Sequence, residues 1–277
     1  SWELPASEFF AFAAGGGGGI GAHGVAPRGN IILAESLVGR VRAKGGEVWT
    51  NALAKQIKVT GGKAKSVVVE RGATEVEVEA QVVISNTGPR KTVELAGVEK
   101  FGEKYIKEMN ERLRPIPIIG IFIASDRPLT DLMGVAMVVG LRRTCFLMPM
   151  SNICPELAPP GKHLTATWGA PLSCLDYMNV DEEIGALIED ARDLFPDFGK
   201  YGRIIKTVAH QKDDERPAYH TWPGWDLPQK TPIVNLFNVG DGVKPSGMTG
   251  LPSCAETGRI VAEEVKKRFK PQRSSPL

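Results

Sequence analysis

The sequence predicts an α/β protein in which a mixed-sheet α+β portion is inserted into an open α/β portion. Two nearly continuous apolar runs, Val82–Ile84 and Asn235–Val239, have the composition of parallel strands that are buried on both faces. Residues 30–44 and 252–269 each have one apolar face, so they are expected to cover these strands in one shared core. Residues 115–210 contain several short strand patterns and one amphipathic helix, which predicts a separate mixed sheet.

The first half of the α/β portion is predicted to begin with a helix over residues 30–44. Asn30 is a favoured N-cap residue by type, and Gly45-Gly46 ends the helical pattern. Alternating residues then predict short strands that are separated by glycine-containing turns, at Glu47–Thr50, Ala54–Val59, Ser66–Glu70 and Glu75–Glu79.

The inserted portion begins with one or two predicted helices over Thr92–Leu113, which Pro115 and Pro117 end. Asp181–Phe195 predicts a further amphipathic helix with an acidic first turn. Residues 213–230 contain prolines and tryptophans and predict an irregular loop. The predicted strands of this portion are Ile118–Ala124, Val135–Val139, Cys145–Met148, Leu164–Trp168 and Ile204–Val208.

Composition excludes some classes of function. The 277 residues are 42% apolar and 24% charged, and the formal net charge is only +2 without a long basic run, so we expect no nucleic-acid partner. No signal peptide is apparent, and the longest apolar stretches are shorter than the ~20 residues that a spanning helix needs. A chain that starts with Ser1 rather than methionine is expected to be a segment of a longer protein.

The cysteines and histidines predict neither disulfides nor a metal site. The four cysteines contain no C-x-x-C pair, which favours buried, reduced thiols and a cytoplasmic location. His210 and His220 flank the acidic cluster of residues 213–215, but their spacing is not a ligand pattern, and a solvated loop is favoured. Cys254 is expected to pack in the core, whereas Trp222 and Trp225 either line a substrate tunnel or fill the core.

A glycine-rich stretch near the N-terminus matches a nucleotide-binding pattern by chance. Gly17–Ala22 reads G-x-G-x-x-A, a pattern that binds dinucleotides only when a strand precedes it and a helix follows. Residues 23–29 contain Gly24 and Pro27, so they cannot form that helix. We therefore interpret this stretch as a flexible loop.

The segment after Asn235 has the order that a ligand site requires. The predicted strand ends in Gly240-Asp241, and a loop containing Ser246, Gly247 and Gly250 leads to a helix that starts near Pro252. An aspartate at the carboxyl end of a strand can accept hydrogen bonds from ligand hydroxyls, and the helix start offers free N–H groups and a positive dipole end. An ordinary β-loop-α crossover, in which Asp241 caps a loop, explains the same residues, and both interpretations stay open.

The same segment resembles the C-terminal signature of the FAD-dependent oxidoreductases of the phytoene desaturase and amine oxidase superfamily. The matching residues read N-L-F-N-V-G-D-G-V-K-P-S-G-M-T-G-L-P-S-C-A-E-T-G-R. The resemblance implies that Asp241, after Gly240, contacts the ribitol or the pyrophosphate region of FAD. It also implies that backbone N–H groups of Thr249, Gly250 and Leu251 lie beside the N1–C2=O end of the flavin, where negative charge develops on reduction.

A second match supports the first. Residues 25–30, Gly45–Val48 and Ala54–Ile57 resemble the family's P-x-G-G, G-G-E-V and V-x-x-I stretches, although Asn30 stands where the family has a second glycine. The resemblance implies that the backbone of Ala54 contacts the adenine of FAD. Val82–Asn86 resembles the strand that returns to the FAD domain, so the matches extend from about residue 25 to about residue 265.

The resemblance implies both an architecture and a function. Residues 30–94 and 229–277 would form the Rossmann-like FAD/NAD(P)-binding portion, residues 95–228 the inserted substrate domain, and residues 1–29 a loop-rich lead-in. The expected reaction is a desaturase- or dehydrogenase-like hydride transfer to flavin from an apolar, isoprenoid- or carotenoid-like substrate. No protein acid or base is implied, and no catalytic residue is assigned.

The chain departs from the family in lacking its N-terminal βαβ unit, which carries V-(I/V)-G-x-G-x-x-G. We therefore expect that a separate chain supplies that unit, or that the chain is a fragment, and that the isolated chain is inactive and purifies without tightly bound FAD. A non-catalytic subunit of such a flavoprotein is the first alternative function, and a flavin amine oxidase is the second. Peripheral contact with a membrane is left open.

Overall fold

The computed structural model describes residues 6–8, 26–113, 117–171, 178–210, 224–248 and 250–270. The strands are β1 (Ala52–Thr60), β2 (Lys63–Arg71), β3 (Thr74–Glu79), β4 (Val83–Ser85), β5 (Ile118–Ser125), β6 (Ala136–Met137), β7 (Thr144–Met148), β8 (His163–Gly169), β9 (Gly202–His210) and β10 (Leu236–Asn238). The helices are α1 (Ile31–Ala43), α2 (Pro89–Ala96), α3 (Glu103–Arg112), α4 (Met150–Ile153), α5 (Val180–Leu194), α6 (Phe198–Tyr201) and α7 (Gly250–Arg268). Short 3-10 turns occur at Val98–Lys100, Pro155–Leu157 and Asp241–Val243.

The chain divides into two compact units. The first consists of Ser1–Gly21, Thr50–Pro115 and Lys212–Leu277, and the second of Ala22–Trp49 and Ile116–Gln211. Each unit has its own hydrophobic core. An α/β protein with an inserted mixed-sheet portion is therefore the architecture observed, as the sequence predicts.

Two small sheets form the framework of the first unit. β1, β2 and β3 make an antiparallel meander, and β4 pairs with β10 in parallel, with Val83 opposite Leu236 and Ser85 opposite Asn238. The β1–β2 turn uses Gly61 and Gly62, both at positive φ, which the tight hairpin requires and which glycine adopts without strain. The strands predicted at Ala54–Val59, Ser66–Glu70, Glu75–Glu79, Val82–Ile84 and Asn235–Val239 are thus confirmed, whereas the strand predicted at Glu47–Thr50 is wrong, because these residues pair with no other described strand.

The first unit extends further along the chain than predicted. Tyr105 and Met109 of α3 are buried in the same core as Leu236 of β10, so residues 95–115 belong with this unit and not with the inserted portion. Leu227 joins the same core and donates its N–H to the carbonyl oxygen of Gly242 at 3.0 Å. The predicted boundaries at residues 95 and 228 are wrong, because the apolar pattern of a helix does not show against which sheet the helix packs.

Helix α1 has the predicted length but not the predicted environment. None of its residues is buried, and its large apolar side chains at positions 31, 33, 37 and 41 are 44–69% exposed. The expectation that this helix shares a core with β4 and β10 is therefore wrong. The predicted N-cap is also absent, since Asn30 has α-helical φ and ψ and its side chain makes no capping hydrogen bond.

The second unit is a five-stranded sheet in the order β6-β7-β8-β5-β9, covered on one face by α5. Ile119, Ile121 and Ile123 of β5 point toward Leu187 and neighbouring residues of α5 and have no exposed surface. Asn179 caps this helix by accepting the N–H of Glu182. The predicted helix over 181–195 and its separate sheet are thus confirmed.

The opposite face of this sheet carries aromatic side chains. Phe122 of β5 and Trp168 of β8 make an edge-to-face contact with ring centroids 5.5 Å apart. Phe146 of β7 is paired with Trp168 across the strands and is exposed. Among the described residues, no helix is long and apolar enough to cross a bilayer.

Gly120 of β5 is needed because the Trp168 ring lies over it. A Cβ atom on residue 120 would lie 2.6 Å from Cε3 of Trp168, with two further ring carbons at 3.0 Å. We expect Gly120→Ala to destabilise the second unit by about 1–3 kcal/mol through overpacking. Thermal unfolding followed by tryptophan fluorescence measures this effect.

Gly134→Ala is the matched control for that substitution. No atom lies within 4 Å of a Cβ on residue 134, so its effect should stay within about 0.5 kcal/mol. Equal unfolding temperatures for the two variants would show that the Trp168 ring can move aside without loss.

Candidate functional site

The candidate site lies in the first unit, where two parallel strands end side by side. Residues 86–88 follow β4 and residues 239–248 follow β10, so both loops leave the same edge of the parallel pair. Ligands of open α/β sheets bind outside the carboxyl ends of the strands. The loop after β10 packs against the start of α2, because a Cβ on Gly242 would lie 3.0 Å from Cδ of Pro89. We call these two loops, with the start of α7, the carboxyl-edge site.

Asp241 is buried in this site and not displayed on its surface. It follows Gly240, whose φ of +100° is one that glycine adopts readily, and it begins a 3-10 turn. Its Oδ2 accepts a hydrogen bond from Nζ of Lys244 at 3.2 Å, and its carbonyl oxygen accepts another at 2.9 Å. The predicted position at the end of a parallel strand is confirmed, and the ion pair is an addition that the sequence did not indicate.

Lys244 joins this loop to a distant part of the unit. Its side chain is 0% exposed, and Nζ also lies 2.8 Å from Oδ1 of Asp226. Two carboxylates therefore contact one ammonium group in a buried place. A buried charge is tolerated only when it is paired and hydrogen-bonded, so Lys244 is a structural anchor of the loop.

Glu8 holds the next part of the same loop. Its Oε1 accepts the hydroxyl of Ser246 at 2.6 Å, and its Oε2 accepts the backbone N–H of Gly247 at 2.8 Å. The carboxylate is buried, so both of these bonds are shielded from water. Glu8 and Ser246 are 238 positions apart, and nothing in the sequence pattern singles out Glu8.

Helix α7 is tied to the strand that precedes it. The N–H of Gly240 donates to Oγ1 of Thr257 at 2.8 Å, and the Thr257 hydroxyl donates to the carbonyl oxygen of Cys254 at 2.7 Å. Gly250 begins the helix at a φ of +68°. The N–H groups of the first helical turn have no partner within a helix, so Gly250 and Leu251 offer donors at this edge. Thr249 lies outside the described residues.

Cys254 of α7 is a neutral thiol. Burial raises its pKa, and the negative charge of Asp241 raises it further. A thiol with a raised pKa is a poor nucleophile at neutral pH. These features favour the packing role that the sequence predicts.

A chain of hydrogen-bonded side chains lies beneath the loop that follows β4. Oγ1 of Thr92 is 2.8 Å from Oγ of Ser85 and 2.7 Å from Oδ1 of Asn238, and Ser85 Oγ is 2.9 Å from Oγ1 of Thr87. Asn238 Nδ2 donates to the hydroxyl of Tyr105, a phenol whose pKa burial raises to about 12. Four of these five side chains are buried, and only Thr87 is partly exposed. Sequence reasoning missed this group because its members come from four separate elements and a loop.

The remaining predicted residues are placed as follows. Ala54 lies in β1 of the first unit, at a β-bulge opposite Val69. His210 ends β9, and the part of the chain that the structure describes holds no cluster of three metal-ligating side chains. Trp225 is half-buried in the first unit. Residues outside the described ones are Cys174, His220, Trp222, the acidic cluster 213–215 and the glycine stretch 17–22.

Comparison of the sequence with known proteins identifies relatives. No protein-family model matches the chain. An uncharacterised protein of Methanocaldococcus jannaschii is 30% identical over 206 residues, which cover 72% of this chain and 48% of that protein. The 15-cis-phytoene desaturase of Capsicum annuum is 24% identical over 245 residues, which cover 86% of this chain and 41% of the enzyme. The chain thus spans about half the length of the curated relatives that it matches.

Solved structures agree with this comparison. An oxidoreductase from Methanosarcina mazei is 28% identical and superimposes with a TM-score of 0.84, covering 94% of this chain and 60% of that protein. A putrescine oxidase that binds putrescine is 11% identical with a TM-score of 0.58 over 87% of this chain and 53% of the oxidase, a likeness of fold alone. The strand, glycine-aspartate loop and helix of the carboxyl-edge site are the segment in which the family signature was found. The chain is therefore similar in sequence to the phytoene desaturases and to an oxidoreductase of known structure, and it has the fold of the FAD-dependent oxidoreductases.

Proposed function

We propose that this chain forms the flavin-side and substrate-side parts of an FAD-dependent oxidoreductase that acts on an apolar, isoprenoid- or carotenoid-like substrate. The carboxyl-edge site carries the proposal, because it places a glycine-aspartate turn and a 19-residue helix at one edge of a parallel strand pair. The similarity to 15-cis-phytoene desaturases supports the substrate class.

The residues present at this edge suit FAD in their chemistry. Gly240 and Gly250 turn the backbone at positive φ, so no side chain projects there toward a ligand that approaches the main chain. The first turn of α7 offers N–H donors and the positive end of the helix dipole to a group that becomes negatively charged. When bound, FAD would supply the acceptor for a hydride from the substrate.

The residues that would hold FAD are those that the resemblance implies. Gly240 and Asp241 would hold its ribitol or pyrophosphate region, and Thr249, Gly250 and Leu251 would face the flavin ring through their backbone. Ala54 would contact the adenine through its own backbone. The buried pair of Asp241 with Lys244 fixes the carboxylate before the ligand arrives, so the loop needs little reordering on binding.

The substrate would lie on the aromatic face of the second unit. Phe122, Phe146 and Trp168 offer a partly exposed apolar surface on the side of the sheet that α5 does not cover. Aromatic rings bury large apolar areas of a ligand and have few polar groups to leave unpaired. A hydrocarbon substrate is the ligand that such a surface would bind best.

A further polypeptide segment is part of the proposal. Parallel sheets are normally covered on both faces, yet in the part of the chain that the structure describes the sheet of β4 and β10 has two strands and Ile84 is 49% exposed. We infer that a nucleotide-binding βαβ unit, supplied by a partner chain or by further sequence, completes this sheet and binds the AMP part of FAD. Peripheral membrane contact would give such an enzyme access to apolar substrate.

The Asp241→Asn variant tests the proposed cofactor site. In the protein purified from its native host, we expect FAD affinity to fall by about tenfold. The reason is that hydrogen bonds to a charged carboxylate contribute more binding free energy than hydrogen bonds to the neutral amide of asparagine. FAD content is measured from the flavin absorbance, and affinity from flavin fluorescence. Glu263→Gln, at an exposed residue of α7, is the control and should leave the FAD content and the FAD affinity unchanged.

Two results would contradict the proposed function. One is a native protein whose absorbance shows no flavin after purification and after reconstitution with FAD. The other is an Asp241→Asn protein that keeps FAD as tightly as the unchanged protein. Oxidation of an amine and not of an isoprenoid by the holoenzyme would favour the amine oxidase alternative.

A further inference from the structure

A cavity of about 460 Å³ lies in the first unit at the amino ends of β4 and β10, away from the carboxyl-edge site. Its walls come from the start of β2, from the residues that precede β4 and β10, and from the end of α7 with the residues that follow it. A cavity of this volume is large enough for a small molecule or for the polar head of a larger one. We call it the amino-edge cavity.

The charged residues that line the amino-edge cavity are all basic. They are Lys63, Lys65, Arg268 and Lys270, and none of the described lining residues is acidic. Among the described residues, the three lysines have no ion-pair partner. Cations at the end of α7 suit the negative end of the helix dipole, but Lys63 and Lys65 belong to β2, so the dipole does not explain them. Several cations around one concavity produce a positive potential that attracts an anion.

Arg268 is held in position by contacts within the protein. Its guanidinium carbon lies 5.3 Å from the ring centroid of Phe269 and 5.9 Å from that of Phe237. Nη2 donates to the carbonyl oxygen of Val234 at 3.2 Å, and Nη1 lies 3.4 Å from a carboxylate oxygen of Glu264. A guanidinium group has five N–H groups, so these two bonds leave donors for the oxygens of a ligand.

One buried amide ties the walls of the amino-edge cavity together. Asn235 accepts the N–H of Ala64 at 2.8 Å, and its Nδ2 donates to the carbonyl oxygens of Ala64 and Gln81 at 2.8 and 2.7 Å. The side chain therefore joins β2 to the residues that precede β4 and β10. Walls that are fixed in this way keep the cavity open without a ligand, which lowers the entropic cost of binding one.

We propose that the amino-edge cavity binds a phosphate group, carried by a soluble phosphate compound or by a lipid head group, with Lys63, Lys65 and Arg268 as its main contacts. Lysine and arginine form charge-assisted hydrogen bonds with phosphate oxygens, and arginine can bind two of them at once. The cations match the charge of a phosphate monoester or a diphosphate. This inference does not rest on the proposed function, because the cavity and the carboxyl-edge site lie at opposite ends of the same two strands.

Titration of the protein from its native host with inorganic pyrophosphate, followed by calorimetry and by phosphorus NMR, tests the site. We expect saturable binding that Lys63→Gln/Lys65→Gln weakens at least about tenfold, because two charged donors are lost. Lys266→Gln/Lys267→Gln is the matched control. It removes the same charge from exposed residues of α7 that do not line the cavity, so the affinity should stay within about twofold of the unchanged protein.

Sedimentation with vesicles of phosphatidylcholine and phosphatidylglycerol, against vesicles of phosphatidylcholine alone, distinguishes the two sources of phosphate. Binding to the anionic vesicles that requires Lys63 and Lys65, without binding of pyrophosphate, identifies a lipid head group. Binding of pyrophosphate that requires the same lysines identifies a soluble phosphate compound. The proposal is overturned if neither probe binds. It is also overturned if the two double variants weaken binding equally, because the anion would then respond only to the general positive charge of this surface.

Discussion

Replacing Lys244 with alanine should lower the free energy of unfolding of the first unit by about 3–5 kcal/mol. The substitution leaves the carboxylates of Asp226 and Asp241 buried without the ammonium group that lies 2.8 and 3.2 Å from them. Removing one partner of a buried ion pair is costly because the remaining carboxylates lose a charged hydrogen-bond donor in a place that is shielded from water. Chemical denaturation with hydrogen exchange of the β4 and β10 amides measures the loss.

Lys58→Ala is the matched control in the same unit. Lys58 pairs with Glu77 at 2.5 Å, but both side chains are about half exposed, so the loss should be at most about 1 kcal/mol. Similar losses in the two lysine variants would mean that water reaches the Lys244 cluster. The double variant Asp226→Asn/Asp241→Asn in the Lys244→Ala background should recover part of the stability, because it removes the two buried negative charges that Lys244 pairs with.

Asp190→Ala should destabilise the second unit by about 3 kcal/mol, since several hydrogen bonds to one buried carboxylate are lost together. Asp190 of α5 has no exposed surface, and it accepts the backbone N–H groups of Arg142, Arg143 and Thr144 at 2.7–2.9 Å. These bonds attach the residues before β7 to the helix that covers the sheet. Without them, three N–H groups would lose their acceptor, and two of these groups belong to a loop that no strand holds.

Asp193→Ala, on the same helix, separates this role from the loss of a surface charge. Asp193 pairs with Arg142 at 2.6 Å and is half exposed, so its removal should cost at most about 1 kcal/mol. Thermal unfolding followed by tryptophan fluorescence compares the two variants. A difference of less than about 1 kcal/mol between them would show that the backbone bonds of Asp190 contribute little.

The stability that Asp190 contributes should depend on pH. Burial alone would raise the pKa of this carboxyl, but the N–H donors of Thr144, Arg143 and Arg142 outweigh burial, so the pKa is lowered in the folded protein. A lowered pKa means that the contribution is complete above the unfolded-state pKa of about 3.9 and is lost as the pH falls through the folded-state value. Asp190→Ala should therefore be less destabilising in acid than at neutral pH.

Local pattern predicted the secondary structure of this protein well. The strands β1, β2, β5 and β9 and the helix α5 appear where alternation, apolar periodicity and an acidic first turn predict them. The glycine-aspartate end of β10 also lies where it was expected, beside β4. Each of these features depends on residues that are close in sequence, so the residues themselves carry the information.

The pattern predicted less about which elements pack together. An apolar stripe on α1 predicts a buried face, yet the described residues leave that face exposed. Helix α3 joins the first core although its position between the predicted portions suggested the second. The pattern of an amphipathic helix predicts that one face is buried, but it does not predict against which surface that face packs.

The sequence by itself determined the α/β class, the two strands that meet in parallel and the segment that carries the family signature. Only the tertiary structure decided how the carboxyl-edge site is held: Lys244 by Asp226, the loop at Ser246 by Glu8, and Thr92 by Asn238. These partners are 18, 238 and 146 positions apart. Buried polar groups need hydrogen-bond partners, and the tertiary structure decides which groups are close enough to pair. Such pairs therefore do not appear as a periodic pattern in the sequence.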